Sequence, residues 1–146
     1  MADHGSEALR GAARKRFALK EAVSRVETAA ASASAEPNWR PELLGRLGEL
    51  HEALAQHVAK VEAADGLMAE LTRLAPRLVG QIDQVRAEHP VLCQQAELTA
   101  GLVADEGVES EAIRVSVLEL LAGVARHRQR GADLVYEGYD VDLGGG

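Results

Sequence analysis

Three histidines occupy comparable positions in three predicted helices of this 146-residue chain: His57, His89 and His127. Each lies on the apolar stripe of its helix, as His57 does between Leu54 and Val61. Neutral imidazole is the most common protein ligand for zinc, iron and copper, and three histidines with an open fourth position can hold one divalent ion. These residues therefore predict a buried metal site, and the alternative is a set of three ordinary core histidines.

Four predicted helices position these side chains. Apolar residues recur with helical periodicity through almost the whole chain, and the alternating patterns of β-strands are nearly absent. The breaks between the apolar stripes predict helices over residues 6–32, 41–75, 76–103 and 110–139. The short links favour an all-α, antiparallel up-down-up-down four-helix bundle, which we predict to be a single domain spanning residues 1–146. A short Gly-rich tail over residues 140–146 is expected to leave the last helix.

The predicted turns place the three histidines at one height in the core. His57 and His89 lie at similar distances from the turn at Pro76, with a mismatch of about 7 Å at a rise of about 1.5 Å per residue. His127 lies at a similar distance beyond the last turn. Arg16 occupies the same level on the first helix, so the four helices are expected to present one arginine and three histidines to each other.

The order and spacing of these motifs resemble the hemerythrin-like (HHE cation-binding) family. The resemblance covers residues 14–145 and rests on three segments. These are residues 50–71 (LHEALAQHVAKVEAADGLMAEL), 85–92 (VRAEHPVL) and 126–145 (RHRQRGADLVYEGYDVDLGG).

The resemblance implies a four-helix bundle with a non-haem di-iron or related metal centre, held by histidines and bridging carboxylates. Proteins of this family bind oxygen, sense oxygen or iron, or respond to oxidative stress. By match, His57, His89 and His127 fall on the family's ligand positions, and Arg16 stands at the ligand position of the first helix.

Two departures from the family pattern change the expected site. The family places carboxylates about four residues after the histidines of its second and last helices, where this chain has Val61 and Gly131. Two metal ions need bridging carboxylates to neutralise and hold them. We therefore expect a reduced, mononuclear site for iron or zinc, and a chain that holds no metal is the alternative of equal weight.

Three neighbouring residues are weighed as supporting groups. Glu62 is turned about 100° from Val61 around the helix, so it reaches the core as an auxiliary ligand only if the helix is distorted. His51 is the other candidate auxiliary ligand, although its place at the edge of the stripe favours a boundary position. Glu88 is a candidate hydrogen-bond acceptor for a histidine of another helix, but we favour a solvated side chain there.

Three functions are compatible with these residues. The first is a hemerythrin-like metal-binding protein that binds or senses oxygen, iron or redox state through a site in the bundle core. The second is a degenerate bundle without metal that acts as an interaction or regulatory scaffold, as the missing carboxylates and Arg16 suggest. We rank third an enzyme that activates oxygen, peroxide or water, because no acid or base is clearly placed in the core.

The composition limits the classes of partner that the chain is expected to bind. A net charge of −7 disfavours nucleic acid, which requires a basic surface. No apolar stretch approaches the ~20 residues that span a bilayer, and no secretory signal is recognisable. The single cysteine, Cys93, fits a reducing compartment. We therefore expect a cytoplasmic protein with a metal ion or small ligand as its partner, and the sequence leaves any protein partner open.

Overall fold

The computed structural model describes residues 6–143, with side chains for residues 6–139. Within this range the chain is all-helical, with five α-helices, one 3₁₀ turn and no strand. The helices are α1 (Glu7–Ala31), α2 (Trp39–Val61), α3 (Leu67–Leu74), the 3₁₀ turn (Pro76–Leu78), α4 (Val79–Ala104) and α5 (Ser110–Leu143). The predicted all-α class is confirmed, but the helix count differs from the four that the apolar stripes predicted.

The extra helix arises because the predicted second helix is interrupted. α2 ends at Val61, and α3 begins after Gly66. A Cβ atom on Gly66 would lie 2.4 Å from the carbonyl oxygen of Lys60 and 2.9 Å from that of Val61, so only glycine lets the chain pass so close to the end of α2. The prediction of one helix over residues 41–75 is therefore wrong, although the apolar rhythm continues on both sides of the break.

The last helix begins where the sequence predicts and ends later. α5 begins at Ser110, and at the other end of the chain Ser6 caps α1 by accepting a hydrogen bond from the backbone N–H of Leu9. α5 continues to Leu143, whereas we expected it to end near Tyr139. The non-glycine residues 140–143 extend the helix, and residues 144–146 lie outside the described residues.

Neighbouring long helices run antiparallel. The Lys15 side chain, early in α1, donates to Gln56, late in α2, over 3.2 Å. Between α4 and α5, the hydroxyl groups of Thr99 and Ser116 are 2.7 Å apart. In addition, α2 packs against α4, and α5 lies against α1. The four long helices therefore enclose a common interior.

Arg40 closes the end of the molecule where α2 begins. Its guanidinium donates to the carbonyl oxygens of Val103 and Asp105, both over 3.1 Å, and to that of Val108. These carbonyls belong to the end of α4 and the turn before α5, where helix geometry leaves acceptors without partners. Arg40 lies about 25 Å from His57 along α2 at a rise of about 1.5 Å per residue.

The buried apolar side chains form two clusters. The larger one, which we call the leucine core, includes Leu19, Val26, Leu43, Leu47, Leu50, Leu54, Leu92, Ile113, Val117, Leu120 and Val124. The smaller one, which we call the cavity core, includes Ala12, Val61, Leu67, Met68, Leu71, Leu78, Ile82, Val85 and Leu134. On α2, α4 and α5 the boundary between the two clusters falls at a histidine.

Candidate metal centre

The structure brings the three predicted histidines together in the interior. His57 comes from α2, His89 from α4 and His127 from α5, and one ring nitrogen of each lies within 4.8 Å of the others. His89 is 2% exposed and His127 3% exposed, while His57 is partly buried. The ring centroids are 4.8–5.6 Å apart, with the rings edge-on to each other. A ring nitrogen from each of three helices thus faces one point.

The closest pair of nitrogens has the spacing of a metal site. The Nε2 atoms of His57 and His127 are 3.4 Å apart. Imidazole nitrogens bind zinc at about 2.0–2.1 Å, so two of them at the corners of a tetrahedron are separated by about 3.4 Å. Because the three ligand atoms span up to 4.8 Å, a small inward movement of His89 would complete a trigonal set.

Carboxylates fix the orientation of two of the rings. Nδ1 of His127 donates to Oε1 of Glu88 over 2.7 Å, and Nδ1 of His89 donates to Oε2 of Glu62. An ionised carboxylate only accepts hydrogen bonds, so in the neutral form of each ring the hydrogen is on Nδ1 and Nε2 carries a lone pair. Metal-binding histidines typically donate their second ring N–H to such a carboxylate or to a carbonyl, which fixes the tautomer and raises basicity.

Two ring nitrogens of the cluster are buried without a hydrogen-bond partner among the described residues. They are Nε2 of His89 and Nδ1 of His57. A buried polar atom left without a partner destabilises a folded protein by roughly 1–3 kcal/mol. For His89 this atom is Nε2, whose lone pair faces the other two rings. A metal ion would bind between the three rings at this lone pair.

The environment favours the neutral form of His57 and His89. Burial, the largest cause, together with His127, His89 and the guanidinium of Arg16 lowers the pKa of His57 from 6.5 to about 3. Burial also lowers the pKa of His89, against the opposing effect of its hydrogen bond to Glu62. Neutral imidazole is the form that binds metal ions, so His57 and His89 are in the ligating state near neutral pH.

A cavity of about 50 Å³ adjoins the three histidines. Arg16 lines this cavity, as do Val61 and Gly131, the two positions where the resembled family has carboxylates. The described lining residues include no carboxylate. The remaining lining residues are Ala12, Leu67, Met68, Leu71, Ile82, Val85, Arg128, Leu134 and Val135.

The two predicted auxiliary residues have different places. Glu62 reaches Nδ1 of His89 without distortion of α2: it is the C-cap residue, and its backbone N–H still bonds to the carbonyl oxygen of Val58. It contacts the ring from outside the cavity and is not among the three clustered ligands. His51 is not near the cluster. Its Nε2 lies 3.2 Å from Glu97, and its side chain is 38% exposed, which is the boundary position that the sequence favoured.

Two residues take roles that we did not favour from the sequence. Glu88 is the acceptor for His127, whereas we favoured a solvated side chain. Arg128 lines the cavity, although the sequence analysis did not identify it. The only signal in the sequence was its position next to His127. The direction of the Arg128 side chain depends on how α5 is rotated about its axis, and the apolar stripe defines that rotation only to within about one residue.

Comparison with known proteins adds no assignment: no family model, no curated protein and no solved structure matches the chain. Within the described residues, no helix has an apolar stretch long enough to cross a membrane.

Proposed function

We propose that this chain is a hemerythrin-like four-helix bundle protein that holds one divalent metal ion, iron or zinc, through Nε2 of His57, His89 and His127. Its role is binding or sensing rather than catalysis. The observation that carries the proposal is the convergence of three ring nitrogens from three helices, with carboxylates on the far side of two rings. Glu62 and Glu88 hold these rings in the tautomer that leaves Nε2 free.

A single ion fits the cavity better than a pair of ions. The described lining residues offer no carboxylate to bridge two cations, and Arg16 and Arg128 add positive charge to the same space. Three histidines leave one coordination position open, which is how sites that exchange a ligand are built. An open position facing a small cavity is suited to a protein that binds a small molecule and reports its presence.

The second candidate is a degenerate bundle without metal that serves as an interaction scaffold. The contact between His57 and His127 favours this candidate, because 3.4 Å also suits a hydrogen bond from one Nε2–H to the other Nε2. The positive charge of Arg16 beside the cluster also disfavours a cation. The two candidates differ in metal content and in the response of the fold to chelators.

Metal content separates the two candidates. We would purify the chain without an affinity tag that binds metal, measure iron and zinc by elemental mass spectrometry, and titrate the chelated protein with Fe²⁺ and Zn²⁺. We expect about one equivalent of metal per chain and a higher melting temperature on loading. His57→Ala should abolish tight binding, while His51→Ala should leave it unchanged, because His51 lies outside the cluster. Protein that contains no metal, and whose melting temperature changes with neither ion, would support the second candidate, the scaffold without metal.

The orienting carboxylates provide a second test. Glu88→Gln and Glu62→Gln should each weaken metal binding by about 10–100-fold, the usual effect of removing such a partner. Glu97→Gln is the matched control, because Glu97 also contacts a histidine, His51, but away from the cluster. Equal affinities in all three variants would contradict the proposed ligand set.

A further inference from the structure

Two arginines line the same cavity as the histidines. Arg16 comes from α1 and Arg128 from α5, and both are partly buried. Nε of Arg128 is buried and has no hydrogen-bond partner among the described residues. No described carboxylate lies within ion-pair distance of either guanidinium. The cavity therefore contains two cationic groups whose hydrogen-bond donors are available.

With the proposed metal ion bound, the charge around the cavity would not be balanced by the described side chains. A divalent ion on the three histidines would bring the local charge, with both arginines, to four positive units. Glu62 and Glu88 contribute two negative charges from outside the cavity, and Oε2 of Glu88 already accepts from Arg130 over 2.6 Å. Charge removed from water without a counter-ion is strongly destabilising. An anion in the cavity would supply the missing negative charge.

We propose that the open coordination position of the metal ion takes a small carboxylate or planar oxyanion, which Arg16 and Arg128 hold by charge-assisted hydrogen bonds. This inference rests on the proposed metal site and names the class of ligand that the site binds. One oxygen of the anion binds the metal ion, and the other accepts hydrogen bonds from the arginines. Guanidinium groups match the geometry of such two-oxygen acceptors. A neutral diatomic ligand would leave both arginines without a counter-ion.

The size and lining of the cavity limit the anion. A water molecule needs at least about 10–15 Å³, so a cavity of about 50 Å³ favours a ligand of a few non-hydrogen atoms. The side of the cavity formed by Ile82, Val85 and Leu134 is apolar and offers nothing to a second charged group. Formate, acetate, nitrite and bicarbonate satisfy both limits, whereas aromatic carboxylates and polyphosphates do not.

Cobalt substitution provides the test, because the visible absorption of Co²⁺ changes when its coordination changes. The full chain would be loaded with Co²⁺ in a chloride-free sulfonate buffer and titrated with sodium formate and, separately, with sodium benzoate. We expect formate to change the spectrum with saturation, and benzoate to leave it unchanged. A cobalt spectrum that formate does not alter would overturn the anion site and leave the metal site standing. Failure of Co²⁺ to bind would overturn both.

Arginine variants distinguish a ligand-binding role from a structural one. Arg16→Gln and Arg128→Gln should each weaken formate binding by about tenfold or more, because each removes a charge-assisted hydrogen bond. The same variants should bind Co²⁺ more tightly, because a nearby positive charge is gone. The matched controls are Arg14→Gln on α1 and Arg126→Gln on α5, whose side chains do not line the cavity.

A structural role would change both affinities in the same direction. Parallel loss of Co²⁺ and formate binding in the cavity variants would therefore overturn the proposal, as would equal effects in the controls. Formate binding of unchanged affinity in the metal-free protein would overturn it as well, because the arginines alone would then hold the anion.

Discussion

The leucine core and the cavity core lie in the same set of helices but are packed differently. In the leucine core, Leu19, Leu43 and Leu50 are completely inaccessible to water. In the cavity core, α2 ends and the short helix α3 follows it, and a cavity of about 50 Å³ remains beside the three histidines. We interpret the leucine core as the main source of stability and the cavity core as the place where the proposed site interrupts the packing. Four predictions test this division, beginning with the largest effect.

Truncation in the leucine core should be the most damaging change. Leu50→Ala should lower the free energy of unfolding by about 2–5 kcal/mol, because it removes buried area and leaves a void that the neighbours cannot close. Leu71→Ala in the cavity core should have a smaller effect, because its surroundings already contain open space. Urea denaturation of both variants measures the difference. Equal losses would remove the distinction between the two halves.

A carboxylate added to the cavity core should strengthen metal binding. A Cβ on Gly131 meets no atom within 4 Å, so Gly131→Glu has room, and its carboxylate would add a ligand one turn from His127. We expect an affinity gain of about tenfold or more, which is about 1.4 kcal/mol. Isothermal titration with Zn²⁺ and Fe²⁺ measures it. Gly45→Glu on α2 is the control, because it also replaces an open helical glycine but lies far from the site.

The cavity core should also make stability depend on pH. The pKa of His57 falls from 6.5 to about 3 on folding, so below pH 6.5 the unfolded chain binds a proton that the folded chain excludes. Stability is therefore complete above pH 6.5 and is lost as the pH falls. For this one group we expect a loss of about 1.4 kcal/mol between about pH 7.5 and about pH 5.5 in metal-free protein.

Urea midpoints at the two pH values, measured with a chelator present, give this loss. His51→Ala should keep the pH dependence, because its side chain is outside the cluster, whereas His57→Leu should reduce it. A pH dependence that survives in His57→Leu would assign the effect to other groups.

The smallest predicted effect is a gain in stability. His57→Leu replaces a buried ring, whose Nδ1 has no hydrogen-bond partner among the described residues, with an apolar side chain. We expect the metal-free variant to be more stable by about 1 kcal/mol near neutral pH while its metal binding is lost, as in other trade-offs between function and stability. Thermal unfolding with a chelator present measures the gain. A destabilised variant would mean that the ring contributes to the core in its own right.

The sequence predicted most of the helical framework because apolar periodicity reports directly on burial. The stripes through Leu47, Leu50 and Leu54 on α2 and through Val117 and Leu120 on α5 are buried as expected. The same stripes predicted that the three histidines would lie together. That they bind a metal ion stays a prediction.

The apolar periodicity did not predict the break after α2, because it cannot distinguish one helix from two helices that pack against the same core. The signal that was present was Gly66, whose missing Cβ admits the close approach to the carbonyls of Lys60 and Val61. The break does not redirect Glu62, because its backbone N–H still bonds to the carbonyl oxygen of Val58 at the end of α2. The Glu62 carboxylate accepts from His89 from outside the cavity.

Arg40 has a consequence for how the molecule exchanges with solvent. It ties the start of α2 to the turn between α4 and α5 through three carbonyl oxygens. At the other end, closure depends partly on α3, a helix of 8 residues, which is too short to be stable without its contacts to the rest of the protein. Backbone amides of α3 should therefore exchange hydrogen for deuterium sooner than those near Val103, since local opening requires less free energy there. The end that opens first is the end with the cavity, so an ion at the proposed site could enter and leave while the leucine core stays folded.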